Sequence, residues 1–204
     1  MAAGRMVKAA ARLLDALGEN DCAIAGGIAV NAHGFVRATR DVDVMVAIPL
    51  AEARKRLEAN GISVRLLRGN PLDGEFSCLK GILELGHRPI DAVPFDVLPQ
   101  LVPFAPADAM SLTVHGRTLK VVDTDTLIRL KLKAGGPKDL YDVAVLVNLN
   151  PHWRSRVLGL AAGTQGLREQ MQSLIDHPQV RTQAREVRQQ DQVIERRRKT
   201  RKKR

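Results

Sequence analysis

Cysteine is scarce in this chain: Cys22 and Cys78 are the only two in 204 residues. Two are too few for a disulfide framework or a thiolate zinc site, and the histidines are scattered without metal-ligand spacing. Both thiols are expected to be reduced and mostly buried, as in a cytoplasmic protein. Aromatic residues make up 3% of a chain that is 45% hydrophobic, so the core is expected to be aliphatic. No apolar run reaches the ~18 residues that mark a membrane helix. The N-terminal stretch shows helical spacing (Val7, Ala10, Leu14, Leu17) rather than the continuous apolar segment of a secretory signal. No membrane partner is expected.

Acidic residues are in deficit, and unevenly so. The net charge is +10. From Arg181 onward 11 Lys and Arg face 3 Asp and Glu, against 21 and 19 before it, so the first 180 residues are nearly neutral. The length suits one domain with an appendage. Residues 1–150 carry the mixed strand and helix signals, 151–178 read as a helical extension, and 179–204 as a polar, basic tail, either a solvated helix or disordered. A run of this kind attracts phosphate backbones without regard to sequence. No aromatics are interleaved with it, which excludes base stacking as its mode.

The most informative stretch is Ala23 to Val46, AIAGGIAVNAHGFVRATRDVDVMV. A short apolar strand is broken by Gly26-Gly27, a short helix follows from Ile28 to His33, and Gly34 ends it. Arg40 to Val46 alternates as a half-buried strand should. Val42, Val44 and Val46 then share the core face, and Asp41 and Asp43 share the other, about 6–7 Å apart. Carboxylates so placed repel unless a cation lies between them, and Mg²⁺ is commonly held by one or two carboxylates together with substrate phosphates. Glycines followed by a helix supply the complementary half, a backbone able to approach a phosphate. The bland alternative is a chance Asp-x-Asp on an exposed strand.

The order Gly-Gly, then Ile28 to Arg40, then Asp-Val-Asp-Val resembles the signature of the DNA polymerase β-like nucleotidyltransferase superfamily. The His33-Gly34, Arg37, Thr39 and Asp41–Asp43 run looks most like the AbiEii-type nucleotidyltransferases, known as toxins of toxin–antitoxin pairs. Gly-Gly stands where many members carry Gly-Ser, which removes a hydroxyl able to contact phosphate. The resemblance spans roughly residues 20–148. It implies an α/β nucleotidyltransferase fold, a small mixed β-sheet backed by helices. It also implies two Mg²⁺ or Mn²⁺ ions, an NTP substrate, phosphates held at Gly26 and Gly27, and Arg37 and Thr39 at the pocket.

In the family a third acid lies on a strand beside the Asp-x-Asp strand, in a context like Phe95-Asp96-Val97-Leu98. Two residues compete for the role, Asp91 and Asp96. Five positions separate them, so a regular strand places them on opposite faces unless Pro94 marks a bulge. We favour Asp96 as the acid that completes the metal site with Asp41 and Asp43 and takes the acceptor's proton.

Asp123 or Thr124 is suited to cap a helix that Gly135-Gly136 ends, and Pro137 opens the next at its first position. Leu140, Val143, Ala144 and Val147 make a core stripe. Within this pair the residues resemble the AbiEii-type pattern LKL.A.R.KD..D, which implies Lys131 and Lys138 as nucleotide-binding residues, with Asp139 and Asp142 near the pocket. Gly136 stands where an arginine is frequent. Without the upstream motif the pair reads as two ordinary amphipathic helices.

The expected reaction is transfer of an NMP unit from an NTP to an acceptor hydroxyl, with pyrophosphate released. The candidate acceptors are a tRNA or other RNA reached through the tail, or a partner protein, and an antitoxin is a candidate partner. The competing readings are a small-molecule nucleotidyltransferase of the antibiotic-modifying kind and a non-catalytic nucleic-acid-binding protein that keeps the fold. Deletion of 181–204 is expected to leave the domain folded, because that stretch has few apolar residues.

Overall fold

The computed structural model describes residues 2–69, 76–114 and 116–201. The Gly- and Pro-bearing stretch Arg68 to Gly74 suggests a loop in the sequence, and most of it, with the last three residues of the tail, lies outside the described residues. The chain divides into two compact units, Met1–Ala32 with Arg37–Leu127, and His33–Val36 with Ile128–Arg204.

The first unit is built on a seven-stranded mixed sheet. Its strands are β1 (Cys22–Ile24), β2 (Val42–Val46), β3 (Val64–Leu67), β4 (Cys78–Glu84), β5 (Ala92–Leu98), β6 (Met110–Val114) and β7 (Arg117–Val121), in the order β3-β4-β5-β2-β1-β7-β6. The pairing β2–β5 is parallel, and β3–β4, β4–β5 and β1–β2 are antiparallel. Helix α1 (Ala2–Leu17) lays Leu13, Leu14 and Leu17, all buried, across β1, β2, β5 and β7. Helix α3 (Leu50–Ala59) buries Ala53 and Leu57 and packs on β3 and β4. Arg56 joins the two helices, donating to the Leu17 carbonyl at 2.6 Å and to Asp21 at 2.7 Å.

Alternation along the strands separates the two faces. Val42, Val44, Leu79, Leu83, Val93, Phe95 and Val97 are buried. Asp43, Lys80, Ile82, Pro94 and Asp96 occupy the intervening positions, half-buried or exposed. The core is mostly aliphatic as expected, with Phe35, Phe95 and Phe104 buried in it, and the Phe95 ring lies where a side chain at Gly81 would be, 2.4 Å from an ideal Cβ there. The β4–β5 register runs unbroken from Leu79↔Val97 to Glu84↔Ala92, so Pro94 makes no bulge, and β2 pairing starts one residue later at Phe95. Both cysteines are buried and unbridged, and burial pushes the Cys22 thiol up to about 12.

Helix α4 (Thr124–Ala134) begins in the first unit, where Asp123 caps it by accepting from the Thr126 backbone N–H at 3.0 Å and from its hydroxyl at 2.6 Å. The second unit is helical: α5 (Pro137–Leu149), α6 (Arg154–Ala161), α7 (Leu167–Asp176) and α8 (Pro178–Arg201). Helix α5 is its centre, with Leu140 and Val143 to Val147 buried, and α7 and α8 pack on it. Phe35 stands against Tyr141 with ring centroids 6.2 Å apart.

The stretch expected to be a tail is this fourth helix, and its first turns are packed. Val180 and Ala184 are buried. The Tyr141 hydroxyl donates to Gln183 at 3.0 Å. Arg188 donates to the Asn148 and Leu149 carbonyls at 2.6 and 2.7 Å, satisfying acceptors that the end of α5 leaves open. Small and polar residues hide this role from a count of apolar side chains. Deletion of 181–204 is therefore expected to lower the thermal unfolding midpoint of the protein, and Ala184→Asp alone to lower it in the same direction, both readable by calorimetry.

Candidate active site

Each carboxylate of the site owes its position to strand register. Asp43 lies on β2 and Asp96 on β5, and the two are direct partners in the parallel pair. Neighbouring strands are about 4.8 Å apart, so the carboxylates stand side by side on the open face. Asp41 precedes β2 by one residue, and its Oδ1 accepts from the Thr39 hydroxyl at 3.1 Å. Asp91 is elsewhere, in a 3₁₀ turn before β5. It accepts from Arg88 Nε and Nη2, both at 3.1 Å, and this bonding holds its carboxyl below the usual range. Asp96, and not Asp91, is thus the acid beside Asp43.

Gly26 sits against Asp43, and Gly27 against Thr39. Gly26 opens α2 (Gly26–Ala32) with φ +55°. An ideal Cβ there would lie 1.7 Å from Asp43 Oδ2 and 2.8 Å from Asp43 Cβ, so only glycine admits the side chain. At Gly27 a Cβ would lie 2.5 Å from Thr39 Oγ1. This gives a physical reason for Gly-Gly in place of Gly-Ser: the Thr39 hydroxyl already fills the space a serine would use. The loop that carries Thr39 is clamped by Asn31, whose Oδ1 accepts from the Arg37 backbone N–H at 2.9 Å while its Nδ2 donates to the Arg37 carbonyl at 3.0 Å. Asn31 was not singled out from the sequence, and its only signal is a polar residue near the end of a short apolar helix.

Lys80 was missed as well. It is the β4 partner of Asp96, and its Nζ lies 2.6 Å from Asp96 Oδ2. That bond raises the ammonium's pKa, and Cys78 is raised in turn, first by burial and then by the nearby Asp96. Asp41, Lys80 and Asp96 line a cavity of about 800 Å³, completed by Ser63, Val64, Arg65, Gly81, Ile82 and Pro94.

The carboxylates are hard oxygen donors of the kind Mg²⁺ or Mn²⁺ takes. In kind, the residues fit a divalent ion. Among the described residues, however, no three His, Cys, Asp or Glu side chains are gathered as a ligand set. The contacts explain why: Asp96 leans to Lys80 and Asp41 to Thr39.

Lys131, Lys138, Asp139 and Asp142 all belong to the second unit. Lys131 is buried, with Nζ 2.7 Å from Asp139 Oδ1 and 2.8 Å from Asp142 Oδ2, and Asp142 is itself fully buried. Lys138 is exposed. The helix-pair motif thus brings three of its four charged residues into one ion cluster, in which the lysine is fully engaged.

No protein-family model and no curated protein matches the sequence. Solved structures match the fold. An antigenic nucleotidyltransferase-like protein from Paracoccidioides brasiliensis aligns with a TM-score of 0.51 at 15% identity, over 89% of this chain and 93% of that one. The antibiotic-resistance factor ANT(2'')-Ia, in its solution structure, aligns with a TM-score of 0.51 at 17% identity, over 87% and 98%. At these identities the likeness is one of architecture, and the chain has the nucleotidyltransferase fold.

Two outcomes follow from the packing. Gly26→Ala is expected to cost more stability in denaturant unfolding than Gly61→Ala. Both positions have positive φ, worth roughly 1–3 kcal/mol of strain for a side chain, but nothing lies within 4 Å of a Cβ at Gly61. Lys131→Ala is expected to destabilise by more than ~1 kcal/mol, because it removes the cation that bonds the buried Asp142 at 2.8 Å. A loss below 1 kcal/mol in the same assay would mean that the cluster contributes little.

Proposed function

We propose that the protein is a metal-dependent nucleotidyltransferase that moves an NMP unit from an NTP to an acceptor hydroxyl. The observation that carries this reading is the in-register pair Asp43 and Asp96, with Gly26 packed against Asp43 and Asp41 two residues before it along the chain. Asp41, Asp43 and Asp96 would hold Mg²⁺ or Mn²⁺. Two such ions would neutralise phosphate charge and stabilise the attacking and leaving oxygens.

The protein's own groups do the rest. Gly26 and Gly27 present backbone to the phosphates. Asp96 takes the proton of the acceptor hydroxyl, whose oxygen then attacks the α-phosphorus, and the α–β bridging oxygen leaves with pyrophosphate. Lys80 orients Asp96 through the 2.6 Å contact to its Oδ2. Lys131 and Lys138 are proposed as nucleotide ligands on motif resemblance alone, and Lys131 would have to leave Asp139 and Asp142 to serve.

For the acceptor we favour RNA, a tRNA 3′ end in particular, over a hydroxyl on a partner protein. The basic residues of α8 support this choice, and the resemblance to AbiEii-type proteins supports the role of a toxin held by an antitoxin. A polycationic small acceptor is less well served, because Arg65 and Lys80 line the cavity.

The test is to incubate the full chain with each labelled NTP, Mg²⁺ and total tRNA, and separately with total protein. Asp41→Ala and Asp43→Ala are expected to reduce transfer at least ~10³-fold, the scale of several kcal/mol of transition-state stabilisation. Asp96→Asn should abolish it, while Asp91→Asn should retain most of it. Unfolding midpoints near that of the parent protein would separate these losses from misfolding. Near-normal turnover in either metal-site variant would refute the reading.

A further inference from the structure

The open face of the first unit carries a line of charge that continues past the carboxylates. Arg65 on β3 is the direct partner of Lys80 on β4, Lys80 of Asp96 on β5, and Asp96 of Asp43 on β2. Four adjacent strands thus place four charged residues in one row, ordered positive, positive, negative, negative. Ser63, Ile82, Pro94 and Asp41 stand two residues away along the same strands. All of these residues except Asp43 line the cavity, with Arg65 and Lys80 at its basic end.

The basic end needs a reason. Like charges directly opposite in an antiparallel pair destabilise it. Asp96 relieves Lys80 through the 2.6 Å contact. Arg65 is exposed, and among the described residues its guanidinium has no acid partner. Lys80 carries three donors, of which Asp96 engages one. A guanidinium fork beside a lysine with donors to spare is the arrangement that takes a phosphate oxygen pair. Beside it the exposed Ile82 and its partner Pro94 offer an apolar strip, with no aromatic for a base to stack on.

We infer that Arg65 and Lys80 bind a backbone phosphate of a single-stranded RNA acceptor, directing its terminal hydroxyl toward Asp96. Arg65 lies two strand spacings from Asp96, about 10 Å, so the phosphate held is one near the terminal nucleotide and not a remote one. Lys80 stands between them in the row, and the Ile82–Pro94 strip runs alongside, two residues along the strands. The assignment of Asp96 as the group that meets the hydroxyl rests on the nucleotidyl-transfer reading; the binding of phosphate at Arg65 does not.

The experiment uses the full chain and a short single-stranded oligoribonucleotide with a free 3′ hydroxyl, with affinity measured across a range of salt. Arg65→Glu is expected to weaken binding about tenfold or more at low salt and to lower the magnitude of the log K against log salt slope by ~0.7 for each phosphate that is no longer neutralised. Arg65→Gln should do the same more mildly, and Arg65→Lys should keep the slope. A glutamate at this exposed position faces Lys80, so the variant is expected to fold, and its unfolding midpoint checks this. Binding of MgATP without RNA, by equilibrium dialysis, should be the same in the parent and Arg65→Glu. Equal RNA affinity and slope in parent and Arg65→Glu would overturn the inference. Equal loss of RNA and nucleotide binding would also overturn it, by moving Arg65 to the nucleotide side. A parent protein that binds RNA through Arg65 but transfers nothing from any NTP would refute the nucleotidyl-transfer reading and leave the phosphate site standing.

Discussion

Parallel pairing of β2 with β5 sets two carboxylates one strand spacing apart, and a pair of anions so close has to be compensated. The chain compensates Asp96 with Lys80 and Asp41 with a hydroxyl, Thr39. Asp43 is pressed to a backbone that has no side chain at Gly26. The rest of the first unit serves this arrangement. Helices α1 and α3 cover the sheet, so that alternation along β2, β4 and β5 leaves the polar set uncovered.

Much of that was legible in the order of residues. Strict alternation from Asp41 to Val46 announced which side chains share a face, and Gly-Gly before it announced a close approach. What alternation does not carry is the partner across the gap between strands. Asp91 and Asp96 could be ranked only by local context until β2 paired at Phe95. Lys80 has a signal in the sequence: Phe76–Leu85 and Ile90–Leu98 have the composition of two strands joined at Gly86 to Pro89, and a hairpin centred on Arg88 sets residue 80 opposite 96. The packed start of α8 was hidden for another reason. Ala184, Gln183 and Arg188 contribute by fitting closely, by one hydrogen bond and by capping carbonyls, none of which an apolar count registers.

The second unit follows a different logic. Lys131 and Asp142 are charges taken out of water, where pairing offsets lost hydration, and the half-buried Asp139 shares the lysine at the cluster's edge. Removing one member leaves the others worse off than if none had been there. The surface row in the first unit is the opposite case, since each of its members keeps access to solvent and can exchange one counter-charge for another. The same residue types therefore bear on stability in one unit and on ligand traffic in the other, with burial as the deciding variable.

The turn between β4 and β5 has a consequence for how sharply this site is defined. Asp91 is held by Arg88 and lies so near Gly86 that a Cβ there would come within 2.6 Å of its carboxylate. That small lock acts as a register pin. A hairpin that slid by a single residue would turn Phe95 or Val97 outward and Asp96 into the helix-covered core, so the acid has no intermediate placements. Substitutions around the turn, far from any reacting atom, would then act as switches on the whole site.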